Sequence, residues 1–222
     1  MMTFDFSIVL RFWDALLLGL LTTLELTLIC VVLGTALGFL IGLARSSSSR
    51  FLRSASSVYV EFFRGTPVLV QLFWIFFCLP LILGFELSNM ASAVLALTLY
   101  MGAITSETFR ASLKSVGKEQ LDACVALGLP RRVQITNVIL PQAVLRAIPT
   151  LLSNGVSLFK ESALVSAVGM ADLMFVGQNI SNNTARPVEV LTVVALIYFV
   201  LAFPLTRAVT RVEQRILTKL AA

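Results

Sequence analysis

The 222-residue chain is 58% hydrophobic and only 13% charged, with a mean hydropathy of +0.92. A soluble domain of this length carries about twice that charged fraction, so the solvent for most of the surface is expected to be lipid. There is no histidine, which removes the commonest metal ligand and the usual general base near neutral pH; the net charge of +5 then matters through membrane topology rather than nucleic acid.

A bilayer-crossing helix needs roughly 20 mostly apolar residues. The first such stretch covers 13–43. No basic segment precedes it, so a cleaved signal peptide is not expected. Gly34, Gly38 and Gly42 recur every fourth residue and place bare backbone on one helix face, for close approach either within the chain or to a second subunit. The second span covers 58–84 and is interrupted at Arg64-Gly65-Thr66-Pro67, where Gly65 and Pro67 break or kink the helix. Glu61 and Arg64, three residues apart, can pair with each other; a gate or a contact to a soluble partner is the functional alternative.

The third span covers 88–109, and the segment 110–133 follows it. Residues 118–127 read as a short helix with Leu121, Cys124 and Val125 on one face. Gly128 suits a left-handed cap, and Pro130 stops continuation. Helix, glycine turn and the basic Arg131-Arg132 turn make a compact knob, the form in which a membrane protein can receive force from a soluble partner.

The fourth span covers 135–170 with polar breaks. Asn154 and Glu161 are two helical turns apart and share a face with Ser157. Polar and charged residues at such depth face protein or a water-filled cavity. That face suits the ammonium and carboxylate groups of a zwitterion, or a structural hydrogen-bond network. The uncharged Asn154 favours an acidic or neutral amino acid over arginine or lysine. The fifth span covers 190–208. Cys30, Cys78 and Cys124 form no CxxC pair and read as apolar fillers, so no metal site is expected.

Twelve of the 17 Lys and Arg fall after spans one, three and five, while the alternate loops hold only Arg186. Cationic loops stay cytoplasmic, which predicts five transmembrane helices with the N-terminus outside and the C-terminus inside. The expected fold class is an all-α membrane protein, one transmembrane domain over 1–222.

The knob carries a family resemblance. It reads Asp122-Ala123-Cys124, three residues, Gly128, nine residues, then Val138-Ile139-Leu140-Pro141. This is similar to the "EAA" loop of ABC importer permeases, Glu-Ala-Ala-x-x-x-Gly followed by Ile-x-Leu-Pro, with conservative departures at Asp122, Cys124 and Val138. The stretch Phe63-Arg64-Gly65-Thr66-Pro67-Val68-Leu69-Val70-Gln71-Leu72-Phe73 resembles the "FRGTPLLVQLF" of the polar amino acid permeases. Residues 23–28 and 158–166 resemble that subgroup's first span and its "LxKDTSLVS" segment, so the likeness runs from about residue 20 to the C-terminus.

The resemblance implies a type I, methionine-permease-like fold in the bacterial inner membrane. It implies that the knob is a coupling helix docking on an ATPase through Asp122, Ala123, Gly128 and Pro141. Arg131 is placed to meet acidic residues there, or lipid phosphates. It further favours Asn154 and Glu161 as substrate residues. The implied partners are a second permease, identical or paralogous, two ATPase subunits that hold ATP-Mg, and an extracytoplasmic solute-binding protein. The chain has no Gly-x-x-x-x-Gly-Lys-[Ser/Thr] loop of its own, so ATP hydrolysis is expected elsewhere and the chain is not read as an enzyme. The alternative, a channel or ion-coupled transporter, calls for intramembrane carboxylate pairs or an inverted repeat, and neither is apparent.

Overall fold

Eleven α-helices make up the fold, with no strand among the described residues: α1 Ser7–Arg11, α2 Trp13–Arg45, α3 Arg50–Gly65, α4 Val68–Phe73, α5 Leu79–Leu83, α6 Asn89–Lys114, α7 Lys118–Ala126, α8 Arg131–Val133, α9 Leu140–Glu161, α10 Leu173–Thr184 and α11 Pro187–Ala221. The structure, a computed structural model, describes residues 5–221; the side chains of Leu217, Lys219, Leu220 and Ala221 lie outside that description. Four helices are long and apolar enough to cross a membrane, or five if the bent pair Arg50–Gly65 and Val68–Leu83 counts as one.

The centre of the fold is the pairing of α2 with α6. A Cβ on Gly34 would stand 2.6 Å from Met101 Cβ, and one on Gly38 would stand 2.5 Å from Thr105 Cβ. Gly42 faces Phe109 at 3.4 Å, so the two helices run parallel in register. Thr105 Oγ1 donates to the Gly34 carbonyl at 3.2 Å, a contact that side chains at these glycines would prevent. All three glycines are therefore taken up within the chain and not by a second subunit. Leu26, Cys30, Leu97 and Met101 are buried along this seam, joined by Leu72 from α4 and Leu158 from α9.

A second core joins α2, α10 and α11 through Leu16, Leu173, Val190 and Val194. Asp172 caps α10 by accepting from Phe175 N at 2.9 Å, and Thr23 Oγ1 accepts from Leu173 N at 3.0 Å. Residues 171–189, read from the sequence as a short outer loop, thus contain a packed twelve-residue helix. Its signal was the Asp172 cap before an apolar run.

The other spans differ in detail. The fourth begins at Arg131, runs through Asn154 as α-helix to Glu161, and tightens there into a 3-10 helix over Ser162–Val168. Pro80 and Pro141 each follow a π-helical turn, Trp74–Cys78 and Gln134–Ile139. A proline ring crowds the carbonyl four residues back and offers it no N–H; the wider turn makes room for the ring without ending the helix. The second span is bent by 107° between Gly65 and Val68, where the sequence predicted a break. Tyr59 donates to the Leu99 carbonyl at 2.6 Å while Arg64 lies 3.9 Å from Glu107. Arg53 and Ser57 share a cleft with Arg110 and Lys114, while Phe62 and Phe63 share a cavity with Leu95 and Leu99. The start of α3 thus lies by the end of α6 and the two helices run in opposite senses, with the Arg64 side chain reaching back to Glu107.

Candidate functional site

Three groups of residues carry the functional expectations, and the structure keeps them apart. The first is the knob. Helix α7 ends in a Schellman arrangement: Gly128 N donates to the Val125 carbonyl at 2.9 Å and Leu129 N to the Cys124 carbonyl at 3.1 Å. The turn needs Gly128 at φ +67°, where a Cβ would be strained although the space around it is open. Cys124 is buried against the body of the fold, but Leu121 and Val125, expected beside it, are 37% and 66% exposed. The correction follows from length: a nine-residue helix on the rim has only a narrow inward face. Asp122, Ala123 and Arg131 are exposed as well, as is Pro141 at the start of α9. The outward face is thus small and apolar at its centre, with charge beside it.

The second group surrounds the bend. Glu61 is exposed and makes no ion pair among the described residues, so the expected Glu61–Arg64 pair does not form. The partner of Arg64 is Glu107 on α6, which also receives Arg45 Nη1 at 2.6 Å and Arg110 of its own helix. Three helices thereby meet at one carboxylate near their cation-rich ends. Gly65 and Pro67 form the break itself, with Pro67 at φ −62°, ψ 136°. Gln71 closes it: its Nε2 donates to the carbonyls of Phe63 at 2.8 Å and Thr66 at 2.9 Å, groups the interrupted helix leaves without N–H partners. Neither Glu107 nor Gln71 was singled out by sequence reasoning. A carboxylate late in an apolar span and a glutamine four residues after a proline were the available signals.

The third group is polar and lies on α9. Asn154 Nδ2 donates to Thr108 Oγ1 of α6 at 3.1 Å. Glu161 Oε1 accepts from the Tyr100 hydroxyl at 3.3 Å. Ser157, between them, is exposed, and so is Lys160. The structure therefore does bring Asn154, Ser157 and Glu161 to one face, and adds Thr108 and Tyr100, which the sequence pattern did not reveal because they sit on another helix. A lysine and a serine open to the outside of a membrane-crossing helix face protein or water, since lipid would penalise both.

Comparison with known proteins decides the family. Residues 34–218 match the family described as binding-protein-dependent transport system inner membrane component. The chain belongs to this family. Among its relatives is the putative glutamine transport system permease protein GlnP of Rickettsia felis, 33% identical over 215 residues, 96% of this chain and 99% of that one. The arginine transport system permease protein ArtQ of Bacillus subtilis is 34% identical over 97% of this chain and 98% of its own length. A crystal structure of an amino acid ABC transporter with histidines superposes with a TM-score of 0.92 at 33% identity, covering 96% of this chain and all of that one. The MetNI methionine ABC transporter in an inward-facing form shares the fold, at TM-score 0.77 and 20% identity over 93% of this chain and 98% of that one. As a binding-protein-dependent permease, the chain is a multi-pass inner-membrane component of an ABC transporter, not an enzyme, and works with separate subunits including an ATPase and a binding protein.

Proposed function

We propose that this permease translocates a polar amino acid, acidic or neutral, handed over by an extracytoplasmic solute-binding protein. It does so as one of two permease chains, identical or paralogous, above two ATPase subunits that hold ATP-Mg. The whole chain, 1–222, acts as one transmembrane domain with its N-terminus outside and its C-terminus inside.

The observation that carries this reading is the stripe Asn154, Ser157 and Glu161 on α9, polar yet open on the outside of the chain. A second permease seated over it would turn the open face into a lined path, in which the carboxylate of Glu161 meets an ammonium group while Asn154 and Lys160 meet a carboxylate. Relatives named for glutamine and arginine agree with an amino acid as the cargo. α7 is the coupling helix in this reading: Ala123 lets it seat deep in an ATPase groove, Asp122 and Arg131 contribute charge at its edges, Gly128 turns the chain out, and Pro141 starts the helix that carries the movement upward. The Arg64-Gly65-Thr66-Pro67 bend is the gate region, where α3 can tilt against α4.

The test is uptake in proteoliposomes holding the permease with its ATPase and binding protein, with labelled glutamine, glutamate and arginine offered separately. Glu161→Gln and Asn154→Ala should each lower uptake of the preferred amino acid about ten-fold or more, the effect of leaving one charged or polar partner unpaired. Assembly with the ATPase should be unchanged. Uptake at the native rate in both variants would remove the stripe from the path. Uptake without ATP would restore the channel reading.

A further inference from the structure

The ends of α2, α3 and α6 enclose a cleft of about 390 Å³ that has no part in the amino acid path proposed above. It is lined by Arg45 and Ser46 from the end of α2, Arg53 and Ser57 from α3, and Arg110 and Lys114 from the end of α6. Arg45 and Arg110 share the carboxylate of Glu107. Arg53 and Lys114 have no carboxylate within 4.0 Å among the described residues. Four cations thus converge on a concave volume with one carboxylate among them, and Ser57 stands in its wall with a hydroxyl to offer, while Ser46 Oγ already donates to the Gly42 carbonyl at 3.0 Å. Such a site holds a surplus of positive charge and of N–H and O–H donors, which is the chemistry of a phosphate oxyanion site.

The surroundings identify the source of the phosphate. Helix α3, which carries Arg53 and Ser57 into the cleft, exposes Phe51 (79%), Leu52 (47%) and Val58 (64%) elsewhere on its surface. Phe51 and Val58 are seven apart and share a face. Exposed apolar side chains on a helix that also supplies a cation to the cleft, at the ends of membrane-crossing helices, match the boundary between acyl chains and headgroups. An acidic surface of a partner protein would offer no use for Phe51 and Val58. Helix α7, the element read as docking on the ATPase, packs on the Gln134–Ile139 turn and not on α3.

We propose that this cleft is a binding site for the phosphate headgroup of an anionic phospholipid, on the leaflet where the cation-rich loops lie. Arg53 and Lys114 supply the charge not already engaged by Glu107. Arg45 and Arg110 are held in place by that carboxylate and present their remaining donors. The acyl chains run along the exposed apolar face of α3. The lipid would then bridge the start of α3 and the ends of the α2–α6 pair. Nothing in this depends on which solute is carried.

The experiment is native mass spectrometry of the full-length chain in a neutral detergent, titrated with dioleoylphosphatidylglycerol, with dioleoylphosphatidylcholine, or with inorganic phosphate. The expected result is retention of phosphatidylglycerol in preference to phosphatidylcholine. The double variant Arg53→Gln/Lys114→Gln should weaken phosphatidylglycerol about thirty-fold, the combined effect of two interfacial cations. Ser57→Glu, which places a carboxylate in the wall, should act in the same direction. Arg211→Gln/Arg215→Gln removes the same charge elsewhere and should leave the affinity within about three-fold. Because neither Arg53 nor Lys114 forms an ion pair among the described residues, the melting temperature of the double variant should match the native chain. The proposal is overturned if the cleft variants bind phosphatidylglycerol as the native chain does, or if the control pair loses as much. Displacement of the lipid by inorganic phosphate would make the site one for free phosphate. Loss of ATPase-subunit binding with intact lipid affinity would make it a protein contact.

Discussion

Glu107 on α6 accepts Arg45 Nη1 from the end of α2 at 2.6 Å, with Arg110 on its other oxygen and Arg64 of α3 at 3.9 Å. One carboxylate therefore serves three helices that approach the membrane boundary together. Glu107→Gln leaves the arginines facing one another without it. We expect a loss of about 1–3 kcal/mol, the usual effect of removing a charged hydrogen-bond partner, seen as a lower melting temperature in detergent. Arg45→Gln should lose a similar amount, and the double variant less than the sum. Additive losses would mean that the pair does not couple α2 to α6.

The glycine face of α2 makes a graded prediction. At Gly38 a methyl group would meet Thr105 Cβ at 2.5 Å and the Gly102 carbonyl oxygen at 2.8 Å, and the latter is backbone that cannot swing away. At Gly42 the nearest atom is 3.4 Å distant. Gly38→Ala should destabilise by about 1–3 kcal/mol through overpacking, while Gly42→Ala should change stability by less than about 0.5 kcal/mol. Thermal unfolding of the two variants side by side settles it, and equal effects would contradict the parallel packing of α2 on α6.

Much of this architecture was legible in the sequence. Hydropathy alone located α2, α6, the run from Arg131 to Val168 and α11, because a membrane-crossing helix must be apolar over its length. Gly65 and Pro67 marked the bend, and Gly128 the cap, because each conformation suits few other residues. What escaped depends on pairs distant in the chain. Arg64 looked as though it belonged with Glu61 since they are helical neighbours, yet α3 packs on α6 and Arg64 reaches Glu107 instead. Asn154 and Glu161 were found through their shared face, whereas Thr108 and Tyr100 could be assigned to them only once α6 was placed against α9. Helix α10 was missed because twelve residues are too few for a span and the outer loops were read for charge.

The side chain of Gln71 should govern the bend. It is 5% exposed, and its Nε2 reaches Thr66 Oγ1 at 2.7 Å as well as the carbonyls of Phe63 and Thr66. Gln71→Leu keeps the volume and removes the donor, leaving two carbonyls at the broken helix end unpaired. Each unsatisfied buried group costs about 1–3 kcal/mol. We expect lower thermal stability and slower uptake in Gln71→Leu, with Gln71→Glu less damaging only at pH low enough to protonate the new carboxyl. Native stability in Gln71→Leu would show that water or the relaxed backbone supplies those bonds.

The knob can be separated from the fold that carries it. Ala123 is exposed, so Ala123→Trp should leave the melting temperature unchanged while filling the groove that α7 would enter. ATP hydrolysis stimulated by the loaded binding protein, and uptake with it, should fall at least ten-fold, the equivalent of about 1.4 kcal/mol of docking energy. Gly128→Val should impair coupling for a different reason. At φ +67° a β-branched residue is strained by about 1–2 kcal/mol, which unwinds the cap and lets α7 tilt. Gly128→Asn, which tolerates the left-handed region, should retain most of the activity. Recovery with asparagine but not with valine is what a conformational role requires. If Ala123→Trp hydrolyses ATP and transports at the native rate, α7 is not the coupling element, and contact with the ATPase must run through the basic turn at Arg131 and Arg132.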